Sequence, residues 1–241
     1  MRIAEYLGLD TKKERVVGLV SLDSALPIAV GTISGVVKRL IPQDYANKPD
    51  FEIIALKPGD QLVGVAQPDE ASELVFVASD AQLLRFSVSS VRPQGRTAGG
   101  MAGIKLGAGA RCIFFGAVSS SDDATVATIA GSTSVLPGTD PGSGKVSDFS
   151  EFPAKGRATG GVRAQRFLKG EDIMLHAWVG PKPALALGTD GTVRQLPEGG
   201  SRRDASGLPL EAIVGSIGSS IQSRMPQGTR ESDAVDAADA D

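Results

Sequence analysis

One cysteine, one histidine, one tryptophan and two tyrosines are all that the 241 residues hold of those four types. A lone cysteine cannot close an intrachain disulfide. Cys112 lies in an apolar run and reads as a small buried hydrophobe suited to a reducing cytoplasm. A metal centre needs clustered His or Cys ligands, and the chain has one of each. His176 falls in a strand-like run, in step with Met174 and Trp178 and out of step with Ile173, Leu175, Ala177 and Val179. That is the setting of a strand histidine with no catalytic duty. The glycine-rich stretch 95–103 contains no Gly-x-x-x-x-Gly-Lys-Ser/Thr, so no nucleotide phosphate loop and no cofactor is expected. No spacing of carboxylates argues for an acid/base pair, and an enzymatic reading fails at most steps. Nor does any apolar stretch reach the ~18 residues of a membrane helix, and Met1–Leu9 lacks signal-peptide character.

An excess of one charge is missing too. The net charge is −3, but residues 221–241 hold two arginines (Arg224, Arg230) and five acids (Glu231, Asp233, Asp236, Asp239, Asp241). Removing them from the chain's 25 basic and 28 acidic residues leaves 23 of each in residues 1–220. Any basic surface must therefore come from segregation of charge. The stretch 221–241 is small, polar and acidic, and reads as a disordered tail.

What the chain has in quantity is turn chemistry: 30 Gly and 14 Pro, which point to many short elements. The longest such stretch is Arg92-Pro-Gln-Gly-Arg-Thr-Ala-Gly-Gly-Met-Ala-Gly-Ile-Lys-Leu106, between Leu74-Val-Phe-Val77 and Cys112-Ile-Phe-Phe115. A degenerate copy, Gly156-Arg-Ala-Thr-Gly-Gly-Val-Arg163, follows 61 residues later, the signature of a repeat architecture. A second recurring unit is a strand, a small polar turn and a strand bearing a cation. Its copies start at Pro27, Glu73, Ala124 and Pro183, spaced by 46, 51 and 59 residues. The turns at Ser34-Gly35 and Thr189-Asp-Gly191 are hairpin signals. The third copy is read as Ala124–Val135, without its cation. After a charged or glycine turn comes a closing strand, at Val16–Val20, Leu62–Val65, Cys112–Phe115, Ile173–Val179 and Ala212–Gly215. Four units of about 50 residues read as propeller-like blades, each covering its neighbour's apolar face. The first 22 residues read as the tail of a preceding unit, or as a strand that completes the last one and closes a ring. One short helix is predicted over Ile217–Arg224.

The chemistry left over is cationic. Arg96, Lys105, Arg157 and Arg163 stand beside glycines that would let backbone approach a ligand, and Arg39 and Arg85 recur at equivalent ends of the hairpin. One cation per blade at one place would lay a basic stripe around the rim, able to track and bend a duplex through phosphate contacts.

On the run Gly95-Arg-Thr-Ala-Gly-Gly-Met-Ala-Gly-Ile-Lys-Leu106, with Val-Arg-Pro before it and Gly-Asp or Gly-Glu-Asp turns before closing strands, residues 1–220 resemble a known family. It is the C-terminal domain of the A subunits of bacterial type IIA DNA topoisomerases, gyrase and topoisomerase IV. The resemblance implies an all-β fold, a β-pinwheel of four to six four-stranded blades over residues 1–220, with the tail at 221–241. It implies a non-catalytic domain that binds and bends duplex DNA on a basic outer rim. Its partners would be DNA, the rest of the A subunit and the ATPase subunit, in the bacterial cytoplasm at the nucleoid. The Gln-Arg-Arg-Gly-Gly-Lys-Gly box of the gyrases is absent, which favours the topoisomerase IV type or a chain that begins after the box. Tyr6 and Tyr45 match no catalytic-tyrosine motif. Arg39, Arg85, Arg96, Lys105, Arg157, Arg163 and Arg194 are the expected phosphate contacts, with Lys38, Arg92, Lys155, Arg202 and Arg203 behind them. The rival reading is a propeller-like protein-interaction scaffold whose charges are merely solvated.

Overall fold

Leu74-Val-Phe-Val77 has no polar alternate because both its faces are covered. Leu74 and Phe76 pack with Ala29, Val37, Phe86 and Phe115, while Val75 and Val77 pack with Leu83, Val126, Phe152 and Val179. Side chains alternate across a strand, so one strand feeds two cores, and a continuous apolar run replaces the one-sided pattern of an exposed sheet. This arrangement repeats through the molecule.

The computed structural model describes residues 3–22, 24–41 and 50–220. Its first blade region holds β1 (Ile28–Thr32), β2 (Val36–Leu40) and β3 (Leu62–Ala66), and its second holds β4 (Glu73–Ala78), β5 (Gln82–Ser87), β6 (Met101–Ala102) and β7 (Cys112–Val118). Then follow β8 (Ala124–Gly131), β9 (Ser143–Asp148), β10 (Val162–Arg163) and β11 (Ile173–Pro181). The last strands are β12 (Leu185–Leu187), β13 (Val193–Arg194), β14 (Leu208–Pro209) and β15 (Ser216–Gly218). One helical turn, Ile3–Tyr6, precedes them.

The strand orders are β3-β1-β2-β6, β10-β5-β4-β7, β11-β8-β9-β14 and β13-β12-β15, and every pairing between these strands is antiparallel. Each sheet is a hairpin with a closing strand on its inner side. Three of the four gain an outer strand from the long loop that follows the next blade's hairpin. β6, β10 and β14 are thus donated backwards, and strand exchange ties successive blades together. Adjacent blades stack through β7 on β3 and β1, β11 on β7 and β4, and β15 on β11.

The donation explains the Gly-Gly pair of the repeated segment. Gly100 and Gly161 sit at φ +82° and +75°, and a Cβ there would lie 2.8 Å from the Val37 carbonyl oxygen and 2.3 Å from that of Leu83. Only glycine lets the donated segment press this closely on the hairpin. These glycines admit a neighbouring strand, not a ligand as the sequence suggests.

Four other expectations change. The third hairpin does not end at Val135. β8 runs to Gly131, residues 132–142 form a long loop, and the second strand is β9, which carries Lys145. That loop accounts for the long third spacing and restores the cation. Residues 14–21 form no strand and do not complete the last blade. They run along the first, where Arg15 Nη2 donates to the Leu62 carbonyl at 2.7 Å, Ser21 and Gln67 exchange hydrogen bonds, and Val20 packs on Ile28 and Val30. The closing strand of the last blade is Ser216–Gly218, which displaces both Ala212–Gly215 and the start of the predicted helix. Finally, the described residues make three four-stranded blades and one of three strands. The tail at 221–241, with the rest of that helix, lies outside them.

Candidate nucleic-acid interface

In the first three blades the cations of the hairpin's second strand are turned from water, because a donated strand covers that strand's outer edge. Lys38 is 1% exposed, and its Nζ donates to the carbonyl oxygens of Arg96 at 2.7 Å and Ala98 at 2.8 Å. Lys145 occupies the same place in the third blade. It is 1% exposed, and its Nζ donates to the carbonyls of Arg202, at 3.1 Å, and Arg203. Burial pushes the Lys145 amine down to about 8, with Asp204 opposing. An uncharged amine still has two N–H donors for two carbonyls. These lysines clamp the outer segments and leave nothing for a phosphate.

Arg39 is 9% exposed and pairs with Glu70 at 3.0 Å. Arg85 pairs with Glu73 at 3.1 Å and lies over the Phe149 ring, 4.5 Å from its centre. Arg194 pairs with Asp190 at 2.9 Å and donates to the Ile213 carbonyl. Lys38, Arg39, Arg85 and Arg194 are therefore engaged within the protein, where they hold loops and neighbouring segments in place. Arg157 is half committed. Its Nε donates to the Ser90 carbonyl at 3.3 Å and its Nη1 to that of Ala102, which braces the second outer segment against the first.

The other expected residues do come together along the donated segments. Arg92, Arg96 and Lys105 are exposed on the segment containing β6, and Lys155 and Arg163 on that containing β10. Arg202 is exposed and Arg203 half-buried on the segment leading to β14. The segments touch in series: Lys105 N–H donates to the Thr159 carbonyl at 2.9 Å, and Arg166 N–H to the Ala205 carbonyl at 3.0 Å. Arg166 is exposed, is the structural counterpart of Lys105, and is not among the residues the sequence singled out. The 61-residue offset between copies carries 105 onto 166 and would have found it. Arg203 likewise stands where Arg96 and Arg157 stand, in a third copy that has lost one glycine of the pair.

Counted along the chain, residues 92–106, 154–168 and 199–209 hold nine Arg and Lys and one acid, Asp204. Acids concentrate elsewhere, in turns. Asp60 caps the first hairpin turn: Ser34 donates to it through N–H at 3.1 Å and Oγ at 2.5 Å. Asp172 caps the third through Thr133 in the same way. Partial burial pushes the Asp60 carboxyl up, but the bonds from Ser34, Thr32 and Gln61 carry it below the ordinary value. The Thr133 bonds hold Asp172 low.

Elsewhere, Cys112 is buried, and burial, reinforced by Asp60 and Asp80, pushes its thiol up to about 12. His176 is half-buried on β11 opposite Ile129, and burial lowers its pKa. Among the described residues no three His, Cys, Asp or Glu side chains gather as metal ligands, and no helix is long and apolar enough to cross a membrane.

Comparison with known proteins agrees with this architecture. The family described as "DNA gyrase C-terminal domain, beta-propeller" matches residues 72–119, which hold β4 to β7, and residues 138–174, which hold β9, β10 and the start of β11. The chain is 31% identical over 167 residues to the DNA gyrase A subunit of Salmonella typhimurium, covering 66% of this chain and 17% of that one. It is 30% identical over 176 residues to the Deinococcus deserti counterpart, covering 67% and 20%. The match thus spans a fifth or less of these relatives' length. Among solved structures, the C-terminal domain of DNA topoisomerase IV superposes with a TM-score of 0.74 at 21% identity, over 90% of this chain and 69% of that one. The DNA gyrase A C-terminal domain gives 0.65 at 17% identity, over 82% and 66%. The fold is the β-pinwheel, and parts of its second and third blades match the family of DNA gyrase C-terminal domains.

Proposed function

We propose that this domain binds duplex DNA on its outer rim without reading base sequence, and bends it in support of strand passage by a type IIA topoisomerase. The carrying observation is the segregation of charge: nine cations against one acid on the three outer segments of a body that is neutral as a whole. Arg92, Arg96, Lys105, Lys155, Arg163, Arg166, Arg202 and Arg203 project from these segments, with Arg157 bracing two of them. Phosphate contacts of this kind fix a duplex in place and carry no sequence information. The domain has no catalytic duty of its own, and the cleavage chemistry belongs to the rest of the A subunit, driven by the ATPase subunit. Of the two types, topoisomerase IV is the favoured reading and gyrase the alternative. The division into a pinwheel over 1–220 and an acidic tail over 221–241 is part of the same proposal.

The test is binding to a short duplex and to one several times longer, across salt, with a bend reporter in the longer. Contacts from five to eight cations give a log–log salt slope of roughly −4 to −7. Tighter binding and bending of the longer DNA are expected. No binding at low salt would refute the rim and favour the interaction-scaffold reading. Wrapping that shifts the linking number of a nicked and resealed plasmid would mark the gyrase type instead.

A further inference from the structure

The fourth blade lacks what the other three have. β2, β5 and β9 each receive a donated outer strand, whereas β13 pairs only with β12 among the described strands. Gly188 N–H donates to the Thr192 carbonyl at 2.8 Å. Antiparallel ladders alternate bonded and non-bonded pairs, so the next pair, Leu187 opposite Val193, is the non-bonded one. The N–H and C=O of Val193 therefore point to the open side. Val193 is 69% exposed, and with Leu187 directly across from it and Leu185 on the same face it forms an uncovered apolar row. An edge of this kind is a template for another strand.

The complete blades specify what fits. Val37, Leu83 and Gly144, the counterparts of Val193, stand opposite Met101, Val162 and Leu208. Each of those apolar residues follows a glycine, and a Cβ on that glycine would come within 2.8, 2.3 and 2.9 Å of the hairpin carbonyl. The required occupant is an extended segment with a glycine pressed against the Val193 carbonyl, followed by an apolar side chain laid on the Val193–Leu187 row. The donor segments among the described residues are already engaged on β2, β5 and β9.

We propose that the open edge of β13 is a strand-acceptor site for an extended Gly-apolar segment of a partner polypeptide. Affinity comes from main-chain bonds to Val193 and selectivity from the glycine, as in other cases of strand addition to a sheet edge. The site uses none of the cations on the donated segments and does not depend on DNA binding.

The test titrates the full chain into an end-blocked, fluorescein-labelled peptide with the sequence of residues 97–106, Thr-Ala-Gly-Gly-Met-Ala-Gly-Ile-Lys-Leu. Saturable binding is expected, with hydrogen exchange slowed at Val193. A peptide carrying Gly100→Val has the same charge but cannot approach the carbonyl, and should bind about tenfold or more weakly. Val193→Pro in the protein removes the outward N–H and should abolish binding. Should that variant unfold, the peptide pair still decides, since the protein is then unchanged. Equal binding of both peptides, no binding, or protection appearing at β2, β5 or β9 in place of β13 would each overturn the proposal.

Discussion

The buried clamp lysine of the third blade sets a pH dependence of stability with an unusual shape. Folded Lys145 titrates at about 8 against an ordinary 10.5, so between those values the unfolded chain holds the extra proton. Stability then rises with pH, by up to about 1.4 kcal/mol per unit where the two states are fully separated. Screening by solvent near the rim brings the total gain to about 1–2 kcal/mol. Cys112 works the other way. Its folded thiol is raised from 9.0 to about 12, so above pH 9 the unfolded chain loses its proton first and stability falls. Stability should therefore climb from about pH 8 to about 9, level off while the two oppose, and decline beyond about 10.5. Urea unfolding followed through Trp178, the only tryptophan and a buried one on β11, reports this directly. Lys145→Met should remove the climb and leave a decline from about pH 9, while Cys112→Ala should remove the decline. An identical slope between about pH 8 and 9 in wild type and Lys145→Met would refute the reasoning, whatever their absolute stabilities.

Three further outcomes are expected. Arg157→Ala should cost about 1–2 kcal/mol of folding stability by urea titration, because two carbonyls lose their donor, whereas Arg163→Ala should leave stability unchanged and lower DNA affinity. Combined Lys105→Ala and Arg166→Ala should weaken duplex binding and reduce the salt slope by about 2, measured by fluorescence anisotropy at several salt concentrations. Phe76→Ala, at a fully buried ring 4.8 Å from that of Phe115, should cost about 3–5 kcal/mol in urea.

Much of this molecule is written locally. The apolar runs at Leu62, Leu74, Cys112 and Ile173 became β3, β4, β7 and β11, because a strand covered on both faces needs unbroken β-formers and nothing remote. The Gly-Arg segments were legible as a repeat, and their cations Arg96, Lys105 and Arg163 are indeed exposed. Composition alone showed that any basic surface had to be a segregated one.

Which cations face water was a tertiary decision. In sequence the hairpin's second strand carries a recurring cation, and on that view Lys38, Arg39, Arg85 and Arg194 belong to the rim. The donated strands β6, β10 and β14 arrive from far along the chain and cover that edge in three blades, which turns Lys38 inward onto the carbonyls of Arg96 and Ala98. Residues 132–142 hid Lys145 in the same manner, since a loop of any length can join two strands whose pairing is fixed by the sheet. Sequence pattern records what each strand buries. The choice of partner strand depends on contacts between segments far apart in the chain, and that choice left the exposed cations on the donated segments.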